Sequence, residues 1–386
     1  MRRFTATGSG IGLAAGAVAC YGLGVLLGYP VLVAIAVGAF AVLACALVAV
    51  AVRPSVTLTR RVTPARLTVG EIATGEVEVR NTVRWPSPAF TAIDQIGAGE
   101  LVELAVSPLA GHGRRTVRYE VPARRRGRLR LGPMTVLRRD PFGLLAWRQR
   151  QTADGVLWVH PRVHPLQPLP VGVVLDYEGR ANDQARLGTV TFSSLRDYVP
   201  GDDPRQIHWK TTARLGTLVV REHVDTMEPT TTVVLDARAD AFSSAQFFEY
   251  AVELAASVVR AVESVGRPVT LRVVGEQADG GAESTMDRLA LAEPTPDPDP
   301  LRLLSVIERA PGGGVLVAVT GPIDAGLLGR LAEQRRRYAP VVVVALGGSS
   351  TTGSVARRPG MAIIDAPNAV EAAFAWNRLV RGETAS

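Results

Sequence analysis

SGIGLAAGAVACYGLGVLLGYPVLVAIAVGAFAVLACALVAVAV, residues 9–52, decides the architecture. Ser9 to Leu27 carries no charge and is almost wholly apolar or small, and Val31 to Val52 is the same. Each run has about the 20 residues that a helix needs to cross a hydrocarbon core of about 30 Å. Only Gly28, Tyr29 and Pro30 separate them, so the chain must reverse at once and the two spans form an antiparallel hairpin. Tyr29 suits the membrane interface, and Pro30 can open the second helix. Small residues recur every fourth position at Gly12, Gly16, Cys20, Gly24 and Gly28. That spacing puts them on one helical face and predicts close packing against Ala34, Gly38 and Ala41.

Charge orients the hairpin. Arg2 and Arg3 precede the first span, Arg53, Arg60, Arg61 and Arg66 follow the second, and the turn between has no charge. The positive-inside rule then places both flanks, and all that follows, on the cytoplasmic side of the plasma membrane. A cleaved signal peptide is the rival reading, and a second full-length span directly after the first argues against it.

The chain has 386 residues, enough for two or three domains, and a hydrophobic fraction of 47% lets the remainder build real cores. The net charge of +7 is carried by arginine, and Lys210 is the sole lysine. Such a balance suits an anionic lipid surface or nucleic acid. Both cysteines, Cys20 and Cys45, lie inside the apolar runs, so a disulfide framework or cysteine-based zinc site is excluded from the polar regions.

From residue 54 to 170 the pattern changes to short alternating stretches. Residues 56–59, 75–80, 115–120 and 156–159 read as strands separated by Gly, Pro and Asn, which predicts an antiparallel β-sandwich. Arg124, Arg125, Arg126, Arg128 and Arg130 form a basic run. It could lie on anionic lipid, each charge contributing about 1 kcal/mol. It could equally be the solvated face of a strand, since Arg128 and Arg130 alternate with Leu129 and Leu131. Nucleic acid is not expected, because no aromatic residues interleave the run. The run Asp140-Pro141-Phe142-Gly143-Leu144-Leu145 reads as a structural turn that folds Phe142 and the leucines back onto a core.

The densest polar stretch spans residues 195–222. Pro200-Gly201 is a turn, Asp202 or Asp203 can cap a helix opened by Pro204, and Ile207 and Trp209 are expected to bury. Arg196, Arg205, Lys210 and Arg214 could present charge to a partner, and Lys210 supplies a compact ammonium that arginine cannot. A catalytic reading would make His208 a base oriented by an aspartate, with Asp202 and Lys210 beside it, but no Ser or Cys nucleophile motif accompanies it. The remaining reading is an ion-pair network that locks this block, with Asp202, Asp203, Arg205, His208 and Trp209, onto the next domain.

Arg196-Asp197-Tyr198, Gly201 to Lys210, Ala213-Arg214 and Val220-Arg221-Glu222 together resemble the signature of the domain-of-unknown-function 58 (DUF58) family. Arg126-Gly127, Asp140 to Leu144 and the hairpin fit the same resemblance, which covers nearly the whole chain. It implies a membrane-anchored partner of MoxR-type AAA+ ATPases with a von Willebrand factor A-like C-terminal domain. It implies no catalytic residues.

The sequence after residue 230 independently reads as alternating β and α. Strands fall at 231–235, 269–274, 315–320 and 341–346, and helices at 245–265, 301–309, 324–337 and 369–381. That alternation predicts a mostly parallel, doubly wound sheet, with residues 276–300 as a mobile insertion. Asp236 ends the first strand, where such sheets place ligands. An A-domain metal site would want Asp-x-Ser-x-Ser there, whereas this chain has Asp236-Ala237-Arg238-Ala239-Asp240, and later Thr320-Gly321-Pro322 without an acid. Half the oxygen ligands for a hard cation are missing. Arg238 is expected to pair with Asp236 or Asp240 in the metal's place.

The expected organisation is therefore a membrane-anchored α+β protein. A transmembrane hairpin occupies 1–53, a β-sandwich 54–170, a polar block 171–229 packs on the last domain, and an A-like α/β domain fills 230–386. No phosphate loop, dinucleotide fingerprint or His/Cys ligand cluster is present in the sequence, so no cofactor, metal or catalytic residue is expected. The leading functional expectation is a membrane-tethered adaptor for a protein partner. An enzyme built on Asp202, His208 and Lys210, and a basic module for anionic lipid, are the alternatives.

Overall fold

The computed structural model describes residues 2–97, 99–169, 194–199, 207–222, 230–276, 282–297, 299, 301–348 and 351–382. The chain divides into two compact units, Met1–His160 and Pro161–Ser386.

The first unit opens with a strand, β1 (Arg2–Ala6), before helix α1 (Gly8–Leu27) and helix α2 (Pro30–Ala51). Both helices are long and apolar enough to cross a membrane, and most of their apolar surface is exposed rather than packed in a core. Exposed apolar surface on that scale suits a lipid surrounding. Gly28 in the left-handed region ends α1, and Pro30 opens α2. The packing stripe differs from the expected one. Gly12, Gly16 and Gly38 face open space, whereas a Cβ on Gly24 would lie 2.9 Å from Val33 Cγ2 and 3.0 Å from Leu32 Cβ. The buried positions of α1 are Gly10, Ala17 and Gly24, seven apart, a heptad seam instead of a four-residue ridge.

Among the described residues, β1 is joined in the unit's sheets by β2 (Val56–Thr63), β3 (Arg66–Thr68), β4 (Ile72–Asn81), β5 (Phe90–Ile96), β6 (Glu100–Val106), β7 (Arg114–Pro122), β8 (Gly127–Leu131), β9 (Met134–Arg139), β10 (Leu145–Gln151) and β11 (Gly155–His160). One sheet runs β1-β10-β9-β5-β8-β11-β3 with β6 on β5, and the other runs β2-β4-β7. Every pairing is antiparallel except β11 with β3. Period-two burial along β4 and β5 turns Val77, Val79, Phe90 and Ala92 into one core shared by both sheets. Val50 of α2 enters that core. Because β1 precedes α1 and β2 follows α2, both ends of the hairpin return to the same β unit. The turn at 140–145 is structural as expected, since the Asp140 carboxylate accepts from the Phe142 amide at 2.8 Å and the Leu145 amide at 2.5 Å. Phe142 itself does not fold back: it is 57% exposed while Leu144 is buried.

In the second unit, residues 161–169 pack on the α/β core, not on the β unit to which the sequence reading assigned them. The His164 amide donates to Ser257 Oγ at 2.8 Å, Trp376 Nε1 donates to the Gln167 carbonyl at 2.9 Å, and Leu169 lies in the core. A small module follows: β12 (Ser194–Asp197), α3 (Trp209–Leu215) and β13 (Val219–Glu222), with β12 antiparallel to β13.

The main sheet contains β14 (Thr231–Leu235), β15 (Val269–Val273), β16 (Val315–Thr320), β17 (Val341–Leu346), β18 (Ser354–Arg358) and β19 (Met361–Ala366). Between them lie α4 (Ala245–Ser264), α5 (Thr285–Leu291), α6 (Leu301–Arg309) and α7 (Ala325–Glu333), and α8 (Ala369–Arg381) ends the unit. The order is β15-β14-β16-β17-β19-β18, parallel throughout except for the β18 edge. Alternate residues of β14 point to different cores: Val233 and Leu235 meet α4 and α8, and Val234 meets α6. A strand covered on both faces has no reason to alternate in polarity, which is why these strands read as unbroken apolar runs. The segment expected to be one insertion contains α5, with Met286 and Leu289 buried, so its described part is folded onto the core.

Candidate functional site

In a parallel sheet, ligands bind where the strand order reverses, outside the carboxyl ends of the strands. Here the reversal lies between β14 and β16. Asp236 leaves β14 at that point and Thr320 ends β16 beside it; the Thr320 hydroxyl donates to Asp236 Oδ2 at 2.7 Å. Arg238 folds back over the same carboxylate. Its Nε donates to Oδ1 at 3.0 Å, its Nη2 to Oδ2 at 2.7 Å, and its backbone amide to Oδ1 at 3.2 Å. Asp236 is fully buried and Arg238 is 5% exposed, so this two-pronged ion pair is screened from solvent.

Thr295, which the sequence reading passed over, and Gly321, quoted there only beside the missing acid, complete the arrangement. Thr295 bridges the turn, accepting from the Ala239 amide at 2.8 Å while its hydroxyl donates to the Ala237 carbonyl at 3.1 Å. Gly321 lets β16 end against the Ala241 carbonyl, where any Cβ would overlap it. Asp240 is exposed, in a short 3-10 turn spanning Ala239–Ala241. Of the two acids open to Arg238, the guanidinium forks onto Asp236. Both oxygens of Asp236 are then committed, and a fixed cation stands where a metal would need oxygen donors, so these residues do not fit a divalent ion. Among the described residues no group of three or more His, Cys, Asp or Glu side chains is placed to hold a metal.

The polar block forms the second candidate. Asp202, Asp203, Arg205 and the Pro200-Gly201 turn lie outside the described residues, and Arg196 is described only as backbone in β12. His208 stands at the N-cap position of α3. Its amide donates to the Val219 carbonyl at 2.8 Å, and its Nδ1 lies 2.7 Å from Thr211 Oγ1. Thr212 Oγ1 accepts from the Val219 amide at 3.1 Å, and Gly216 in the left-handed region closes the helix. Side-chain and backbone hydrogen bonds thus tie α3 to β13, and no residue of this seven-residue helix is buried. Trp209 is therefore not a core residue as expected: it is 65% exposed, alongside exposed Lys210, Arg214 and Leu215, and Ile207 is only half-buried.

In the first unit, Arg128 and Arg130 are exposed on β8 while Leu131 is buried, the alternation of a half-solvated strand. Arg60 behaves otherwise. Counted by sequence among the flanking charges, it turns its side chain inward, 3% exposed, with Nη1 2.6 Å from Asp94 Oδ1 and Nη2 2.8 Å from the Leu131 carbonyl. Tyr119 donates its hydroxyl to Asp94 Oδ2. A Cβ at Gly75 would overlap the Tyr119 ring. Burial, reinforced by the Asp94 hydrogen bond and charge, pushes the Tyr119 phenol well above its ordinary value. Strand alternation carried the signal for this network: Arg60 shares its face with Val56 and Leu58, and Asp94 shares its face with Phe90, Ala92 and Ile96.

A family model described as "Protein of unknown function DUF58" matches residues 194–289, which supports that family over the segment holding α3, Asp236 and Arg238. No curated protein sequence matches the chain. Among solved structures, a CARDB domain from Pyrococcus furiosus is 18% identical, with 28% of this chain and 89% of that one covered and a TM-score of 0.22. The alkylpurine DNA glycosylase AlkC from Pseudomonas fluorescens is 19% identical, with 27% and 30% covered and a TM-score of 0.22. This chain spans less than a third of the glycosylase, and neither likeness bears on fold or function at these scores.

Proposed function

We propose that this chain is a membrane-tethered adaptor of the DUF58 type. The hairpin crosses the plasma membrane with both flanks in the cytoplasm, and the second unit is a von Willebrand factor A-like domain that binds a protein partner, an AAA+ ATPase of the MoxR type. One observation carries the reading: α3 presents Trp209, Lys210, Arg214 and Leu215 to solvent from a helix with no buried residue. An exposed tryptophan beside cations is the composition of a protein-binding hot spot rather than of a solvated surface. The switch point between β14 and β16, closed by Arg238, supports an A-like domain whose metal position is held by a guanidinium. An enzyme based on His208 has less support, because Nδ1 is engaged by Thr211 and no orienting carboxylate contacts the ring among the described residues.

The test is affinity purification of the detergent-solubilised chain from its native host, with mass spectrometry of the co-eluting proteins. An AAA+ ATPase captured by the wild type and lost with Trp209→Ala or Lys210→Ala is the expected result. A partner-free preparation, or capture that survives both substitutions, overturns the assignment.

A further inference from the structure

The motif Asp140 to Leu144 finds no role in partner binding, yet it is built into the base of the hairpin. Thr7 caps α1, its Oγ1 accepting from the Gly10 amide at 3.1 Å and donating to the Gly143 carbonyl at 2.8 Å. The Thr7 amide donates to the Leu144 carbonyl at 2.9 Å. That carbonyl sits directly beside Gly10, where a Cβ would overlap it. Gly10 is the third residue of α1, so the loop reaches down alongside the first helical turn, about 3 Å past the helix start at a rise of about 1.5 Å per residue. The Asp140 carboxylate and Gly143, at φ 69°, fix the turn that carries Phe142. Nearby on the hairpin's base, Phe4 is half exposed and the Arg53 guanidinium lies 5.1 Å from its ring centroid.

Phe142 and Phe4 thus leave apolar ring surface exposed at the end of the hairpin where α1 begins and α2 ends. At the boundary between acyl chains and headgroups an aromatic ring is favoured, and arginine beside it meets phosphate. We infer that Phe142 is an interfacial anchor: the 140–144 loop inserts it into the headgroup–acyl boundary of the bilayer beside α1. The β unit is then held to the membrane at a point distinct from the two chain connections. This rests on the hairpin crossing a membrane, and the test separates the two ideas.

The full chain carrying Cys20→Ala and Cys45→Ala is placed in nanodiscs of phosphatidylcholine and phosphatidylglycerol. A nitroxide is attached through Phe142→Cys in one sample and, at the middle of α1, through Val18→Cys in another, and collisions with oxygen and with a water-soluble nickel chelate are compared. Residues 142 and 18 are exposed, so their replacement leaves the fold intact. The expected result is a label at 18 reached by oxygen and shielded from nickel, and a label at 142 with an oxygen-to-nickel ratio several-fold above that of the free label in water. A label at 142 as open to nickel as the free label, with 18 still shielded, overturns the anchor and leaves the hairpin standing. Nickel access at both positions overturns the membrane reading and the anchor with it.

Discussion

Arg238 folds back onto the buried Asp236 two residues before it, with Nε 3.0 Å from Oδ1 and Nη2 2.7 Å from Oδ2, at the point where a parallel sheet offers its ligand site. The pair has a stability consequence. Removing one member of a buried ion pair strands the other charge, which typically costs about 3–5 kcal/mol. Arg238→Ala is expected to destabilise the second unit by about that amount, while Asp240→Ala, at an exposed residue, changes stability by less than about 0.5 kcal/mol. Chemical denaturation of the detergent-solubilised chain measures both. A loss below about 1 kcal/mol for Arg238→Ala would mean that water reaches the carboxylate.

The same geometry predicts the response to magnesium. In the wild type both Asp236 oxygens are occupied, so millimolar Mg²⁺ leaves the unfolding transition where it was. Arg238→Ser removes the cation and supplies a hydroxyl beside Asp236 and Thr320. A Mg²⁺-dependent rise in its melting temperature, absent from the wild type, is the expected outcome. A saturable Mg²⁺ shift in the wild type that is abolished by Asp236→Ala contradicts the substitution of guanidinium for metal.

The Arg60–Asp94–Tyr119 network ties the two sheets of the first unit and gives a pH prediction. The folded phenol is raised above its ordinary value of 10.0. Below pH 10 both folded and unfolded Tyr119 keep the proton, and the contribution is fully present. As pH climbs past 10 the unfolded phenol ionises while the folded one does not, and stability falls by up to about 1.4 kcal/mol per pH unit from this group. Tyr119→Phe loses a hydrogen bond to a charged acceptor, about 1.5–3 kcal/mol at neutral pH, but has a flatter stability curve above pH 10. Urea midpoints of the two proteins between neutral and alkaline pH test this. Parallel curves would show that Tyr119 titrates like a free phenol.

What the sequence revealed follows from how each element is buried. The two hairpin helices were legible because they are long, uncharged and apolar throughout, and the strands β14, β16 and β17 because helices cover both faces of the sheet, leaving unbroken apolar runs. Helix α4 was legible because its apolar residues run on at helical length without a turn signal, and its middle, from Leu254 to Val259, is enclosed on every side by the sheet, α5 and α8. β1 was missed because Arg2 and Arg3 read as a flanking charge, though backbone pairing with β10 needs nothing of their side chains. β18 was missed because it is an edge strand on which Arg357 and Arg358 interrupt the apolar pattern, and β19 because Asp365 breaks a short run whose residues enter both cores. At the switch point, Asp236 and Arg238 were close enough in sequence to be paired on paper. Thr320 reads in the sequence only as part of a metal position that lacks its acid, and Thr295 gives no signal there; the fold sets them beside residues 84 and 58 positions earlier in the chain.

Exposure at α3 separates folding from binding. Trp209 touches no core, so Trp209→Ala is expected to leave stability within about 0.5 kcal/mol of wild type while abolishing partner capture. His208→Ala behaves differently, because Nδ1 holds Thr211 and its loss loosens the start of the helix by about 0.5–1.5 kcal/mol. Hydrogen exchange of the α3 amides reads the difference. Faster exchange in His208→Ala with unchanged exchange in Trp209→Ala is expected, and equal effects would place Trp209 in the packing of the module.

The hairpin seam makes the last prediction, because two glycines eight residues apart differ in what they face. Gly24 lies against Val33 and Leu32 at about van der Waals contact already, and a side chain there must push α2 away. Gly16 looks into open space, where lipid would accommodate a larger residue. Gly24→Leu is therefore expected to lower the melting temperature of the detergent-solubilised chain and to raise cleavage of the turn at Gly28–Pro30 by added protease. Gly16→Leu is expected to leave both unchanged. A four-residue ridge through Gly12, Gly16 and Gly24 would make the two substitutions equally damaging, so the contrast between them decides which face of α1 carries the contact.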